Sequence, residues 1–426
     1  MLTSSRLSLD RALLRRRYLE NRNRSAELFA IPMPSAYYER PIPLRHPVVF
    51  YEGHIPAFSF NKLVREALGG PSINTELERL FERGIDPATV NEASRHERCA
   101  WPDRTRVQSF GAACDAAVLH ALAVADIEDA AASPLLERGQ AAWTILEHEQ
   151  MHHETLLYLL HRLPLEKKRL AGRRGSFVER EPLATGRVAI PRGHATLGAL
   201  RNQPAFGWDN EFDEHVVEVG AFEIDVNDVT NGEWLEFVKV GGPLPPFWVE
   251  RDGAFRLLGM FEEMALPRTW PVYVTQVQAS AYAAWKGARL PTEAEYHRAA
   301  FGTPSGQERA FPWGDEPPDA RIHGNFDFRR FEPEPVGINP QGASAWGVQD
   351  LIGNGWEWTS TPFEPFAGFA PLASYPQYSA DFFDGDHFVV KGASPVTGRD
   401  LVRRSFRNWY RPDYPYMYAT FRCASG

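Results

Sequence analysis

Two histidines four residues apart, His148 and His152, sit inside an apolar helical pattern running from about Arg138 to Arg162, and no other feature constrains the fold as much. On an α-helix four residues advance the direction by about 40° and the axis by about 6 Å, so both imidazoles can aim a ring nitrogen at one ion. Such a helix is half a metal site and needs a neighbouring element to complete it. Glu154 lies about 240° round the helix from His148, a position suited to orienting a ligand rather than binding the ion. The same letters, His148-Glu149-x-x-His152, also spell the zinc-protease motif in which Glu149 acts as general base. Two helical histidines can equally be ordinary core or surface residues, so the rest of the chain must decide.

At 426 residues the chain exceeds one ordinary core, and two domains are expected. Its 43% hydrophobic and 24% charged residues are the proportions of a soluble globular protein. A net charge of -9 argues against nucleic acid as a partner, because no basic field offsets phosphate repulsion. Arg11, Arg15, Arg16 and Arg17, flanked by Leu13-Leu14 and Tyr18-Leu19, fit the solvated face of an opening helix. Cys99, Cys114 and Cys423 have no paired spacing, so neither a disulfide framework nor a thiolate cluster is indicated and a reducing cytoplasm fits. No apolar stretch is expected to approach about 18 residues and the N-terminus lacks the apolar core of a signal peptide, so no membrane partner is expected.

Four helices are predicted in the first part, Leu9 to Arg22, His54 to Leu68, Arg106 to Val124 and Arg138 to Arg162. They imply an all-α four-helix bundle over residues 1–170, whose interior can hold a metal between facing helices. Residues 166–186 are basic, then irregular, and are assigned as linker. From 187 to 426 the composition turns to Gly, Pro, Trp and Tyr with short strand-like runs, Arg187 to Pro191, His215 to Val219 and His387 to Val390, and two clear helices, Asn231 to Val240 and Gln278 to Trp285. This is the pattern of an irregular α+β domain with chemistry on its loops.

A mononuclear iron centre takes at least three protein ligands and leaves positions open, so a third histidine is expected. His54, in Phe50-Tyr51-Glu52-Gly53-His54 at the start of the second predicted helix, leads, with Gly53 allowing close backbone approach. On residue type alone His46, His96, His120 and His161 stay open.

Gly53-His54 followed by His148-x-x-x-His152-x-Glu154 resembles the DinB-like domain of the ergothioneine-type sulfoxide synthases (EgtB-like), a nonheme iron family. The second part resembles the formylglycine-generating-enzyme-like (FGE-sulfatase), C-type-lectin-related module that accompanies that domain. The matching stretches are Trp208-Asp209-Asn210-Glu211, Val229-Thr230-Asn231, Arg289-Leu290-Pro291-Thr292-Glu293-Ala294-Glu295, Phe311-Pro312-Trp313-Gly314, Gly353-Asn354-Gly355-Trp356-Glu357-Trp358-Thr359 and Phe421-Arg422-Cys423. The resemblance implies Fe(II) on His54, His148 and His152 with no carboxylate ligand, and O2 as cosubstrate. It implies oxidative joining of sulfur or selenium to C2 of the imidazole of hercynine, the trimethylated histidine betaine. It further implies a proton- or electron-donating tyrosine from the second domain. By position before Phe382-Phe383-Asp384-Gly385 the matching residues are Tyr375, preferred, and Tyr378.

Arg407-Asn408-Trp409 matches the segment whose Asn and Trp contact the betaine. A trimethylammonium has no N–H to donate, so a π face such as that of Trp409 suits it. The formylglycine-generating enzymes themselves use a cysteine pair; Lys391 to Thr397 has no cysteine here and Cys423 stands alone, so that chemistry is not expected. Buried Arg289 with Glu293 and Glu295 is expected to form a hydrogen-bonded scaffold.

Two departures bear on substrate choice. Met151 stands where many members carry a substrate-contacting Gln. Tyr410 and Tyr414 replace the Asp and Arg that hold γ-glutamylcysteine in one branch. Val49 to Phe58 and Leu80 to Pro87 are more similar to the selenoneine synthase branch (SenA-like), which joins a selenosugar to hercynine. The loop Tyr410 to Tyr416, with Asp413 within it, offers the aromatic faces and acceptors a sugar needs. A selenosugar is therefore the expected donor, with cysteine or γ-glutamylcysteine as the alternative. A zinc metalloprotease and a non-catalytic binding protein are the alternatives of other classes. Nothing in the sequence sets the oligomeric state.

Overall fold

Asp10 and Asp103 open two helices in the same way, each carboxylate accepting the amide three residues on, from Leu13 and Arg106. The helices are α1, Arg11–Phe29, and α4, Arg104–Val124. Between them lie α2, Val48–Ser59, and the short α3, Thr75–Leu80; α5, Gln140–His161, follows. The computed structural model describes residues 9–82, 101–169, 180–181, 186–202 and 205–426. The chain divides into two units, Met1–Ala171 and Gly172–Gly426. Arg83 to Pro87, His96, Cys99 and most of the expected linker lie outside the described residues.

In the first unit α1 packs on α4 and α5, and α2 packs on the same two helices. The buried residues of α1, Leu14, Tyr18, Asn21, Ser25 and Leu28, recur every three or four positions and form one stripe. Every residue of α2 is buried, so it is the central helix of this unit, and it runs directly into a π-helical segment, Phe60–Ala67. The expected start at His54 is corrected: Pro47 is the N-cap and His54 lies in mid-helix. Val48-Val49-Phe50-Tyr51 reads locally as strand, but burial on all sides overrides that propensity. α1 also extends seven residues beyond the expected Arg22.

A second correction concerns α4, which is long and apolar enough by length and composition to cross a membrane. Alanine supplies much of that apolarity. Val107, Phe110, Val118 and Leu122 sit at helical spacing on the buried face, whereas Leu119 is half-buried and Val124 exposed.

The second unit contains four small sheets. β1 (Arg187–Ile190), β4 (Phe222–Asp225) and β12 (Ala424–Ser425) are ordered β1-β4-β12; β2 (Gly193–Leu197) pairs with β3 (His215–Val219); β5 (Trp248–Arg251), β6 (Ala254–Leu258) and β7 (Glu263–Ala265) form a meander. The fourth sheet is ordered β10-β9-β8-β11, from β8 (Gly355–Pro362), β9 (Phe388–Ala393), β10 (Asn408–Tyr410) and β11 (Ala419–Thr420). β9 begins and ends later than the expected His387 to Val390, because its pairing with β8 continues to Ala393.

Helices α6 (Asn231–Lys239), α7 (Gln276–Trp285) and α8 (Glu293–Phe301) each start with a Thr whose hydroxyl and a Glu or Gln three residues on cap one another's amides. That device places the start of α7 two residues earlier than expected. It also revises the role of Arg289, which is only half-buried and of the two carboxylates grips Glu295 and not Glu293, with Nη1 and Nη2 at 2.7 and 2.6 Å. Glu293 instead holds buried Arg407. Fully buried Arg422 donates to Glu357 (2.6 Å) and Asp228 (3.0 Å).

Candidate metal centre

α2 and α5 bring three imidazoles together. His148 and His152 Nε2 atoms are 3.1 Å apart, and one ring nitrogen of His54 joins them, all three within 4.8 Å of one another. Two nitrogens bound at right angles to one ion at about 2.1 Å would be about 3 Å apart, so this spacing suits a shared cation. His54 Nδ1 lies 2.7 Å from the Phe81 carbonyl, which accepts its proton and leaves the lone pair on Nε2. Among the described residues that Nε2, though buried, has no hydrogen-bond partner. The donor set and the spacing fit a divalent transition ion, and no carboxylate among the described residues joins the group.

Aromatic walls hold the rings. Phe58 stacks on His148 with centroids 3.5 Å apart, Phe50 stacks on His54 at 5.0 Å, and Tyr51 lies 5.6 Å from His152. Gly53 is needed for a close approach, of the Phe81 ring rather than of backbone: a Cβ there would lie 2.5 Å from it. Burial pushes the His54 imidazole down to about 4, against the opposing effect of the Phe81 carbonyl. Burial, with the neighbouring rings, lowers His148 and His152 well below the usual histidine value. All three are therefore neutral near pH 7, the form in which an imidazole can bind a metal ion.

Of the other histidines, buried His46 stacks on Phe50 outside the group, and His120 is exposed on α4. His161 is buried near the C-terminal end of α5. Met151 is partly exposed and precedes His152 on α5. Glu154 is buried. Glu149 is turned to α1, accepting Arg22 Nη1 at 2.7 Å and Ser25 Oγ at 2.6 Å. Burial alone would raise its pKa, but Arg22, His153 and Ser25 outweigh it and hold the carboxylate below its ordinary value. A carboxylate so committed does not serve as the general base of a protease. The Phe81 carbonyl, the Phe58 ring and the α1 partners of Glu149 carried no signal in the sequence, because each depends on which elements meet.

In the second unit, the expected substrate residues lie on and around β10. Trp409 stacks face to face on Phe363 at 4.3 Å, with Tyr378 edge-on at 5.2 Å and Phe382 at 5.5 Å. Tyr378 is buried and stacks on Trp208 at 4.0 Å, whereas its neighbour Tyr375, ring centroids 6.0 Å apart, is partly exposed. Asp209 pins their loop by accepting the Ser379 hydroxyl at 2.6 Å and the Leu372 amide. Asn408 is half-buried, with its Oδ1 on the Trp409 amide. Tyr410 and Tyr414 stack at 5.3 Å, Tyr416 meets Tyr414 edge-on, and Asp413 is exposed. Cys423 is buried and its thiol pushed up by burial, so no reactive cysteine pair exists among the described residues.

Residues 175–426 match the sulfatase-modifying factor enzyme 1-like (FGE-sulfatase) domain. The chain is 35% identical to the hercynine oxygenase of Mycolicibacterium thermoresistibile, over 97% of this chain and 95% of that one. It is likewise 35% identical to the hercynine oxygenase of Mycobacterium tuberculosis, over 78% of this chain and 80% of the other. Ergothioneine biosynthesis protein 1 of Schizosaccharomyces pombe is 29% identical, over 88% of this chain and 51% of its own length.

Proposed function

The chain belongs to the hercynine oxygenase family of iron-dependent oxidoreductases, and from that membership we propose that it joins a chalcogen to C2 of the hercynine imidazole using Fe(II) and O2. The observation that carries this reading is the convergence of His54, His148 and His152 as three neutral nitrogen donors. The first unit acts as the DinB-like iron-holding bundle. A bound Fe(II) supplies the one-electron and dioxygen chemistry that no side chain can.

The remaining roles fall to the chain's own residues. The Phe81 carbonyl keeps the proton of His54 on Nδ1, and Phe50, Phe58 and Tyr51 keep the imidazoles apart from water. Asn408 and Trp409 hold the betaine, Trp409 through its indole π system, which Phe363 fixes by stacking. Tyr375 gives a proton or electron as the bond forms. It is preferred to Tyr378, whose ring is taken up in stacking on Trp208.

For the donor we propose a selenosugar, making the product selenoneine. Stacked Tyr410 and Tyr414 offer an aromatic platform where a γ-glutamyl zwitterion would require fixed charges. The names of the relatives, hercynine oxygenase and ergothioneine biosynthesis protein 1, favour the alternative, an ergothioneine-pathway sulfoxide synthase using cysteine or γ-glutamylcysteine. A competition experiment separates them: anaerobic Fe(II)-loaded protein receives hercynine with all three donors, oxygen is admitted, and products are weighed by mass spectrometry. A selenium-bearing product dominates if the donor assignment is right. Sulfur products alone move the chain to the sulfoxide synthases, and no product from any donor ends the proposal.

A further inference from the structure

We propose that Glu149 is a positioning residue of the metal centre: by gripping Arg22 and Ser25 of α1 it fixes the rotation of α5, and so the place of His148 and His152. This rests on the reading of the three histidines as a metal site. Glu149 is one residue from His148 and about 100° round the helix, with Leu146, Gln150 and His153 spread over the same far side, about 140° to 200° from His148. That side is bolted to α1 by directional bonds. Besides Arg22 and Ser25 on Glu149, Asn21 Nδ2 donates to the Leu146 carbonyl at 2.9 Å, and Ser25 Oγ meets His153 Nε2 at 2.9 Å. Arg22 is held in turn by Asp115 of α4, its Nε 3.2 Å from the carboxylate.

Apolar packing alone tolerates small rotations because it is non-directional. A ring nitrogen about 6 Å from the helix axis moves about 1 Å for each 10° of rotation. A metal site accepts errors of only about 0.2 Å in its bonds. The seam on α1 therefore supplies an angular constraint that the histidines need and cannot supply themselves. A buried ion pair is a poor source of stability, since apolar residues of the same volume would serve as well, and setting register is its best-attested use.

The test is Co(II) titration of the full-length protein, read by affinity and by the d–d absorption of the bound ion, beside thermal unfolding of the metal-free form. Glu149→Gln should bind Co(II) about 10- to 100-fold more weakly, with an altered d–d spectrum. Leu122→Ala, a core truncation on α4 remote from the seam, should lower the thermal midpoint while leaving affinity and spectrum as in the wild type. Should Glu149→Gln not fold, Ser25→Ala removes the hydroxyl's bonds to the Glu149 carboxylate and to His153 while leaving Arg22 on Glu149, and should weaken Co(II) by about two- to tenfold. Wild-type affinity and spectrum in the seam variants, or losses that merely track the thermal midpoint as in Leu122→Ala, would overturn the inference. Absence of His54-dependent Co(II) binding in the wild type would instead overturn the metal centre, and this role with it.

Discussion

Replacing Gly53 by alanine is the sharpest single test of how the metal centre is built. The new Cβ would lie 2.5 to 2.6 Å from three carbons of the Phe81 ring, where ordinary carbon contacts are about 3.5 to 4.0 Å, so the ring must retreat by about 1 Å. Phe81 is fully buried among Phe50, Trp101 and Phe110, and such overpacking costs about 1–3 kcal/mol. Alanine returns at most about 1 kcal/mol through its helix propensity. The larger consequence is at the ligand. The Phe81 carbonyl moves with its ring, the 2.7 Å bond from His54 Nδ1 is stretched or lost, and the tautomer that bares Nε2 is no longer enforced. Losing such a partner typically weakens metal binding by about 10- to 100-fold. Anaerobic Fe(II) titration and thermal unfolding of the metal-free protein read the two effects separately. A Gly53→Ala protein with wild-type metal affinity would refute the account of Phe81 as the residue that orients His54.

Removing a ligand outright goes further: His54→Ala and His152→Ala should retain no iron after desalting, measured by metal analysis, and stoichiometric iron in either would exclude that ligand. Tyr375→Phe should keep its iron but change turnover or product ratio, and equal, full turnover would remove Tyr375 from the chemistry. The metal-free protein should lose stability on acidification in a defined window. His54 is depressed from 6.5 to about 4 in the fold, so the unfolded chain binds the extra proton as pH falls below 6.5, and about 3 kcal/mol is lost by pH 4. Above pH 6.5 His54 contributes nothing to the pH dependence. Urea midpoints at pH 7 and pH 4.5 measure the loss, and identical midpoints would contradict it.

The helical pair His148 and His152 was legible because its geometry is local, set by the repeat of one helix. His54 could be singled out only by resemblance, since nothing local says that α2 faces α5. Its mid-helix position was misplaced because Gly53 suggested a helix start. The glycine instead makes room for a ring 28 residues away in the chain. Capping signals such as Thr292-x-x-Glu295 were present as letters, but the division of labour between Arg289 and Arg407 was not. Which guanidinium reaches which carboxylate depends on loops closing over more than a hundred residues. Glu149 was the most ambiguous letter: sequence offered it a catalytic part, and only its partners on α1 show where it points.

The strand bearing Asn408, Trp409 and Tyr410 is the outermost of its sheet, bonded on one flank alone to β9. Side chains there, and in the tyrosine-rich turn that follows, can be exchanged without disturbing the inner strand β8 that carries Trp356, Glu357 and Trp358. The histidines enjoy no such freedom, embedded as they are in two helices packed on both sides. If the proposed substrate residues lie on that rim, a change of partner molecule would need alterations there alone and would leave the two helices and their histidines untouched.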